Sequence, residues 1–233
     1  MSLVAFIPAR AHSKRIRDKN IKRFGGHPLL AYAIQGALDS GLFSGVHVST
    51  DAEDIADVAR QYGATIIHRP AEYATDTSPD AEWIAHAVQT VPCDRFAILP
   101  PTSPFRSAEP IKRAWKEWDF ASHMKAVQPV SEHPGKMWLV QPPTMKPLWP
   151  SDGHLCQTNT LMRLHVQNAS LEFRVNAPMP GYQPFLTWGY EGFDLNTPED
   201  WMLAETLIQR GLVRLPTIER EPYPAMVHAE AGE

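Results

Sequence analysis

The sequence predicts an α/β fold with a mostly parallel central sheet. In the first 130 residues, short apolar runs alternate with longer segments that carry apolar residues at helical spacing. This alternation is typical of a parallel sheet with helices on both faces. At 233 residues the chain is long enough for one such domain, which would bury roughly 70–75% of its unfolded surface. We therefore expect a single domain over residues 1–233.

The order of strands and helices follows from the apolar pattern. Strands are predicted at residues 3–7, 46–48, 65–68, 96–99 and 124–127. The first helix is predicted to begin after Pro28 and end at Gly41, and the second to end at Gly63. Two further helices carry Trp83 and Trp115. A last helix runs from Pro198 to Gly211, and its predicted apolar side consists of Trp201, Leu203, Ala204, Leu207 and Ile208.

Residues 129–184 differ in composition from the first 130 residues because they contain nine prolines. Proline is confined to irregular structure and edge strands, so we expect few regular elements here. Two runs, 136–140 and 169–175, have strand character. Trp138 and Trp149 are either interface anchors or cover for the subunit's own core.

Composition excludes several classes of partner. The balance of 22 basic against 26 acidic residues gives no global electrostatic case for nucleic acid. No segment approaches the roughly 20 apolar residues needed to cross a bilayer, so we expect no membrane contact. Cys93 and Cys156 have neither metal spacing nor enough partners for a disulfide framework, which suits a cytoplasmic location.

The segment after the first strand carries most of the functional information. Five cations lie within residues 10–19, namely Arg10, Lys14, Arg15, Arg17 and Lys19. At the C-terminal end of a central parallel strand, where open α/β sheets bind ligands, such a loop is suited to a polyanion such as a nucleoside triphosphate. A solvated charge run is the alternative. Neither a Walker A loop nor a GxGxxG fingerprint is present.

This segment resembles the signature of the CMP-sialic acid synthetases, or acylneuraminate cytidylyltransferases. Their pattern is a strand, then Pro-Ala-Arg-Gly-Gly-Ser-Lys, a gap and Lys-Asn. Here Pro8-Ala9-Arg10, Ser13-Lys14 and Lys19-Asn20 match, whereas Ala11 and His12 replace the two glycines. Because glycine permits positive φ, we expect this loop either to keep ordinary conformations or to use His12 as a donor.

Four other segments resemble the family. Pro101–Arg106 matches Pro-Thr-Ser-Pro-Leu-Arg, with a proline in place of the preceding Gln, and Asp76-Thr77-Ser78 matches a loop near the cytidine. Asp194–Asp200 resembles Asp-Ile-Asp-Thr-Pro-Glu-Asp. Residues 166–172 resemble a strand near the sugar, but Gln157-Thr158-Asn159 stands where an Arg-Arg-Gln element is expected.

The resemblance implies a three-layer nucleotide-binding fold with an inserted dimerisation arm at about 130–165. It implies a homodimer that uses CTP and a small sugar acid, forms the CMP-sugar and releases pyrophosphate. The implied catalytic residues are Lys19, Arg10 and Asp194. The implied nucleotide contacts are Arg10, Ser13, Lys14, Lys19, Asn20, Ser78, Thr102 and Ser103. The implied substrate contacts are Arg106, Gln157 and Asn168.

The resemblance also implies a magnesium site at Asp194 and Asn196. Residues two apart at a strand end point the same way, and Mg²⁺ favours one or two carboxylates plus phosphate oxygens. The family's second aspartate is Asn196 here, so we expect weaker metal binding or help from another carboxylate, with Glu191 as the candidate.

Some of these residues also have a purely structural interpretation. Ser78 and Ser107 are suited to capping helices, and Thr197–Asp200 is a good helix start without any function. Two other functions stay open. One is a related nucleotidyltransferase or a glycosyltransferase, although no Asp-x-Asp occurs. The other is a non-catalytic relative that binds nucleotide, which is suggested by the proline at the Gln position, by Asn196 and by the missing Arg-Arg-Gln element.

Overall fold

The computed structural model of the chain describes residues 2–120, 123–129, 138–141, 144–147, 165–177 and 181–224. The main sheet contains β1 (Leu3–Pro8), β4 (Gly45–Thr50), β5 (Thr65–His68), β6 (Arg95–Ile98), β7 (His123–Pro129), β10 (His165–Val175) and β11 (Tyr182–Leu186). Two short pairs are β2 (Arg23–Phe24) with β3 (His27–Pro28), and β8 (Trp138–Gln141) with β9 (Thr144–Pro147). The helices are α1 (Leu29–Ser40), α2 (Glu53–Gln61), α3 (Asp80–Thr90), α4 (Ala108–Glu117) and α5 (Pro198–Gln209).

The sheet has seven strands in the order β11-β7-β10-β6-β1-β4-β5. Strand β1 pairs in parallel with β4 on one side and with β6 on the other. Strand β10 is antiparallel to both β6 and β7, whereas β11 returns parallel to β7. The prediction of a mostly parallel sheet is therefore confirmed.

The strand order creates a crevice beside β1. The chain proceeds from β1 outwards to β4 and β5, then crosses back to β6 on the opposite side of β1. The connections that follow β1 and β6 therefore run to opposite sides of the sheet. Over the described ranges, no connection covers the space between the carboxyl ends of these two strands. In open α/β sheets, ligands bind at such a switch point, beyond the carboxyl ends of the strands.

Two apolar clusters cover the faces of the sheet and make three layers. Side chains alternate across a strand: Ala5 and Ile7 pack with α1, α2 and α4 on one face, whereas Val4 and Phe6 pack with Trp83 of α3 on the other. Burying a side chain the size of Phe6 contributes roughly 1.5–3 kcal/mol. The predicted three-layer arrangement is confirmed.

The predicted elements agree with the structure except at a few positions. The 96–99 strand ends one residue earlier, at Ile98. Strand β11 contains Pro184 and was missed; it lies at the sheet edge, where a proline costs no ladder bond. Leu203 is 49% exposed, so its assignment to the apolar side of α5 was wrong. Ser107 occupies the N-cap position of α4 without a side-chain cap bond.

The predicted arm lies almost wholly outside the described residues. Within it, the structure describes only the pairing of β8 with β9, which overlaps the predicted strand at 136–140. Trp149 and Gln157 lie outside the described residues. None of the helices in the described part of the chain has the length and apolar character of a membrane span.

Candidate functional site

A cleft with a cavity volume of about 750 Å³ opens at the carboxyl ends of β1 and β6. It brings together predicted residues from four separate segments. These are Arg10, Ser13, Lys14, Lys19, Asn20, Thr102, Asn168, Asp194 and Asn196. The cationic loop and the Asp194 segment therefore face the same space, as the sequence interpretation requires.

The loop after β1 is fixed by two hydrogen bonds between its backbone and the side chains of Asn20 and Asp51. Asn20 donates from Nδ2 to the Arg10 carbonyl at 3.0 Å, and Ala11 donates its N–H to Asp51 Oδ1 at 2.8 Å. Asn20 is buried. Its amide thus holds the loop closed, so that Arg10 and Lys19 emerge on the same side.

His12 departs from the expectation of ordinary loop conformations. Its φ is +48°, in the left-handed region that favours glycine. The loop thus keeps a conformation suited to glycine although a histidine occupies the position. Of the two alternatives, ordinary backbone throughout this loop was wrong, and a donor role for His12 stays a prediction.

Arg10 and Lys14 converge on one carboxylate. Arg10 Nη2 lies 3.0 Å from Asp76 Oδ1, and Lys14 Nζ lies 2.6 Å from Asp76 Oδ2. The hydrogen bond from Lys14, with the positive charge of Arg10, lowers the pKa of Asp76. Two cations that meet on one pair of anionic oxygens can hold phosphate oxygens in the same way.

Lys19 links the loop to the Asp194 segment. Its Nζ donates to the Leu195 carbonyl at 3.1 Å. Burial lowers the pKa of Lys19, the negative charge of Asp194 opposes this shift, and Arg15 adds to it. A partly desolvated ammonium group next to a carboxylate is suited to an incoming anion, because the low local dielectric strengthens the attraction.

Asp194 has one oxygen available for a cation. Its Oδ2 accepts from Asn196 Nδ2 at 2.6 Å, whereas Oδ1 is buried with no hydrogen-bond partner among the described residues. A carboxylate oxygen of this kind fits the donor set that Mg²⁺ takes alongside phosphate oxygens. In this arrangement the amide nitrogen of Asn196 faces Asp194. The amide of Asn196 must therefore rotate by half a turn before Asn196 Oδ1 can reach a cation bound to Asp194.

The predicted help from Glu191 is not available. Its carboxylate accepts from Arg113 at 2.7 and 3.2 Å and from the Trp188 N–H at 3.1 Å. Glu191 is not part of the cleft wall. The suggestion that it supplies a second carboxylate at the Asp194 site was wrong.

Ser78, Ser103 and Arg106 are predicted contacts that lie outside the cleft wall. Ser103 and Arg106 are fully buried beneath it. Arg106 donates to the carbonyl groups of Pro100 and Ser170, and burial lowers its pKa to about 9. These bonds join the loop after β6 to β10, so in this structure Arg106 supports the cleft rather than facing a substrate.

Ser78 does not cap α3, and its hydroxyl bonds within its own loop. Its hydroxyl donates to the Glu72 carbonyl at 2.7 Å and lies 2.6 Å from Thr75 Oγ1, while α3 has Pro79 at its N-cap. Ser78 therefore shapes the loop that presents Asp76.

Asn168 lies on the cleft wall, but its amide is already engaged. Oδ1 accepts from the Ser170 N–H at 3.0 Å, and Nδ2 donates to Thr187 Oγ1 at 2.8 Å. Asn168 stabilises the irregular stretch of β10 between Gln167 and Glu172.

Sequence reasoning missed two arginines of the cleft, Arg69 and Arg174. Arg69 is 6% exposed, donates to Ser49 Oγ and O at 3.1 and 2.9 Å, and stacks its guanidinium 5.1 Å from the Trp83 ring. Burial lowers the pKa of Arg69 to about 10. The available signal was its position directly after β5, at the same sheet edge as the cationic loop.

Comparisons with known proteins identify relatives of this chain. The sequence profile of the cytidylyltransferase family, described as "Cytidylyltransferase", matches residues 4–123. The CMP-N,N'-diacetyllegionaminic acid synthase of Legionella pneumophila is 32% identical over 243 residues, which cover 90% of this chain and 97% of that protein. The N-acylneuraminate cytidylyltransferase of Escherichia coli is 38% identical over 141 residues, 60% of this chain but only 34% of that longer protein.

Two solved structures share the fold. A CMP:2-keto-3-deoxy-manno-octonic acid synthetase complexed with CTP superposes with a TM-score of 0.66 at 14% identity, covering 91% of this chain and 100% of that one. A 4-diphosphocytidyl-2C-methyl-D-erythritol synthase from Anaerococcus prevotii gives 0.65 at 12% identity, covering 90% and 99%. The profile match and the Legionella relative identify the family: this chain belongs to the cytidylyltransferases.

Proposed function

We propose that this protein transfers CMP from CTP to a nonulosonic, sialic-acid-like sugar acid and releases pyrophosphate. The observation that carries the proposal is the cleft in which Arg10, Lys14 and Lys19 of one loop face Asp194. Names of the relatives support the substrate class, because a legionaminic acid synthase matches along nearly its whole length.

In the proposed reaction the anomeric hydroxyl of the sugar acid attacks the α-phosphorus of CTP. The bond between the α-phosphorus and its bridging oxygen breaks, pyrophosphate leaves with the electron pair, and the hydroxyl proton passes to solvent. The chain needs no nucleophile of its own for this step. Its part is to position both substrates and to stabilise the charge that develops on the phosphoryl oxygens.

The cations divide this work by position. Arg10 and Lys14, which now meet on Asp76, are placed to hold the outer phosphates after Asp76 is displaced. Lys19 lies at the Asp194 end of the cleft. We assign it to the α-phosphate, where it would stabilise the transition state rather than only the bound nucleotide.

A divalent metal, with Mg²⁺ as our choice, would be held by Asp194 through its unpartnered Oδ1. When bound, it supplies charge neutralisation of the phosphate oxygens. Asn196 would assist if its amide oxygen turned towards the ion. Thr102 fixes this segment from the other wall, because its carbonyl accepts from the Leu195 N–H at 2.8 Å.

We further propose that the active form is a cytoplasmic homodimer whose inserted arm, at about 130–165, mediates dimerisation. The two cysteines of the sequence are compatible with a reducing compartment. Size-exclusion chromatography with light scattering of the full chain tests the oligomeric state. A monomer at all concentrations would contradict the homodimer.

A pyrophosphate-release assay tests the proposed reaction. The wild-type protein is supplied with Mg²⁺, one of four nucleoside triphosphates, and a panel of sialic, legionaminic, pseudaminic and Kdo-type acids. We expect release with CTP and at least one acid, and loss of release when EDTA removes the metal. CTP binding without turnover on any acid would favour a non-catalytic relative, and preference for another nucleotide would contradict the cytidylyl assignment.

A further inference from the structure

A second charged cluster lies on the cleft wall away from the cationic loop. Strand β10 contributes Glu172 and Arg174 to the wall, and Lys125 of β7 is the register partner of Glu172. Strand β6 lies between β10 and β1, so the axes of β10 and β1 are roughly 10 Å apart. The cluster is thus distinct from the groups assigned to the triphosphate.

The alternation of β10 aims these side chains at the cleft. Leu171 and Phe173 are buried in the core on one face of the sheet. Glu172 and Arg174 therefore project from the opposite face, the one that α3 covers and that lines the cleft with Trp83 and Ile98. Their side chains remain 14% and 24% exposed.

Positive charge exceeds negative charge within the cluster. Arg174 Nε lies 2.7 Å from Glu172 Oε1, and Lys125 Nζ lies 3.8 Å from the same oxygen. One carboxylate thus faces two cations. The terminal nitrogens of Arg174 have no hydrogen-bond partner among the described residues, which leaves their N–H groups for a ligand.

The chemistry of this arrangement selects a planar anion. A guanidinium group offers parallel N–H donors that match the two oxygens of a carboxylate. A half-buried arginine held by one bond at Nε keeps that fork pre-oriented, which reduces the entropy lost on binding. The Arg174 donors are therefore suited to a single carboxylate and lie apart from the cationic loop.

We propose that Arg174, oriented by Glu172, binds the carboxylate of the acceptor sugar acid. The inference rests on the proposed function, because it names the part of the same cleft that the acceptor occupies. It makes Arg174 a determinant of acid binding and leaves CTP binding to the loop after β1. Glu172 acts as a positioning residue that also reduces the net charge presented to the acid.

The test compares each acid of the panel with its methyl ester. Binding to the full-length protein is measured by calorimetry without nucleotide. For the wild type we expect the acid to bind roughly tenfold or more tightly than the ester, the range for loss of a charged hydrogen bond. Arg174→Met should bind acid and ester alike, while its CTP affinity stays unchanged. Arg174→Lys, which keeps the charge, should give an intermediate ratio.

Glu172→Gln separates recognition from a merely structural ion pair. Glutamine keeps an acceptor for Arg174 Nε but removes the negative charge, so acid binding should become several-fold tighter. If the ion pair were only structural, Arg174→Met and Glu172→Gln would both weaken acid binding. Arg113→Met is the matched control, because Arg113 is a part-exposed arginine paired with Glu191 outside the cleft; it should leave the acid-to-ester ratio unchanged.

Two results would overturn the assignment of Arg174. One is an acid-to-ester ratio in Arg174→Met equal to that of the wild type, in a variant whose melting temperature shows that it is folded. The other is a wild type that binds none of the acids or does not distinguish acid from ester. Failure of the proposed function is different: acid binding that depends on Arg174, without pyrophosphate release, would contradict the reaction but not the site.

Discussion

Lys19 combines a structural bond with the charge that the proposed chemistry needs. Its ammonium group donates to the Leu195 carbonyl, and burial lowers its pKa while Asp194 opposes the shift. A bound triphosphate would add negative charge next to it and favour the protonated form.

Replacing Lys19 should affect turnover more than binding. We expect Lys19→Met to lower kcat by roughly 10²–10³-fold, the range for loss of one transition-state donor, with a smaller loss of CTP affinity. Steady-state kinetics and calorimetry measure the two effects. Arg17→Met is the control from the same loop, since Arg17 is 87% exposed and lies outside the cleft wall. Equal losses in kcat and CTP affinity would contradict the assignment to the α-phosphate.

The pH profile should report the lowered pKa of Lys19. Raising the pH through that pKa removes the positive charge, so kcat/KM should fall with rising pH, and should begin to fall below the ordinary lysine value of 10.5. Lys19→Arg should move this alkaline limb to higher pH, because arginine stays protonated. If the alkaline limb of kcat/KM fell at the same pH in the wild type and in Lys19→Arg, a group other than Lys19 would be titrating.

Asn196→Asp should strengthen the response to metal. A second carboxylate adds an oxygen ligand and removes the amide that now donates to Asp194. Two neighbouring carboxylates repel each other unless a cation lies between them. We expect the Mg²⁺ concentration for half-maximal activity to fall several-fold. An unchanged metal titration would show that residue 196 is not a ligand.

At the scale of elements, the loop after β1 and the start of α5 set the geometry of the cleft. The α5 start was readable from the sequence: Thr197 Oγ1 accepts from the Asp200 N–H at 3.2 Å, and Asp200 Oδ2 accepts from the Thr197 N–H at 2.8 Å. This capping box follows from local spacing alone. The structural role of Ser78 was not readable, because it depends on carbonyl groups that fold back from Glu72.

His12 supplies a test of the loop conformation. Its φ of +48° costs a non-glycine residue roughly 1–2 kcal/mol, whereas glycine's added chain entropy costs roughly 0.5–1 kcal/mol. His12→Gly should therefore raise the free energy of unfolding by about 0.5 kcal/mol. Ala11→Gly, at a position outside the left-handed region, should lower it. Chemical denaturation measures both, and a loss of stability in His12→Gly would contradict the left-handed conformation.

At the scale of the whole molecule, the sheet order explains what the sequence predicted and what it missed. Strand and helix periods predicted the layered fold, and the cationic run after β1 predicted residues that line one side of the cleft. Arg69 directly follows β5, far in sequence from the recognised motifs, and Arg174 lies on β10, two residues beyond the recognised segment 166–172. Only the strand order, with β10 antiparallel beside β6, brings them to the same cleft.

Burial was the other quantity that sequence could not supply. Thr102, Ser103 and Arg106 of the segment Pro101–Arg106 were predicted to contact nucleotide or substrate, yet only Pro101 and Thr102 of the segment lie on the cleft wall. Arg106 is drawn inward by the carbonyl groups of Pro100 and Ser170. A motif match gives the residues near a site, whereas the packing beneath it decides which of them face the ligand.

A crystal structure with CTP and Mg²⁺ bound tests the central claim most directly. We expect the α-phosphate within hydrogen-bonding distance of Lys19, about 3 Å, the outer phosphates on Arg10 and Lys14, and the metal on Asp194. A second cavity of about 570 Å³, lined by Arg17, Lys22 and Trp201, provides the alternative. Triphosphate bound there, with the cleft beside Asp194 empty, would contradict the account.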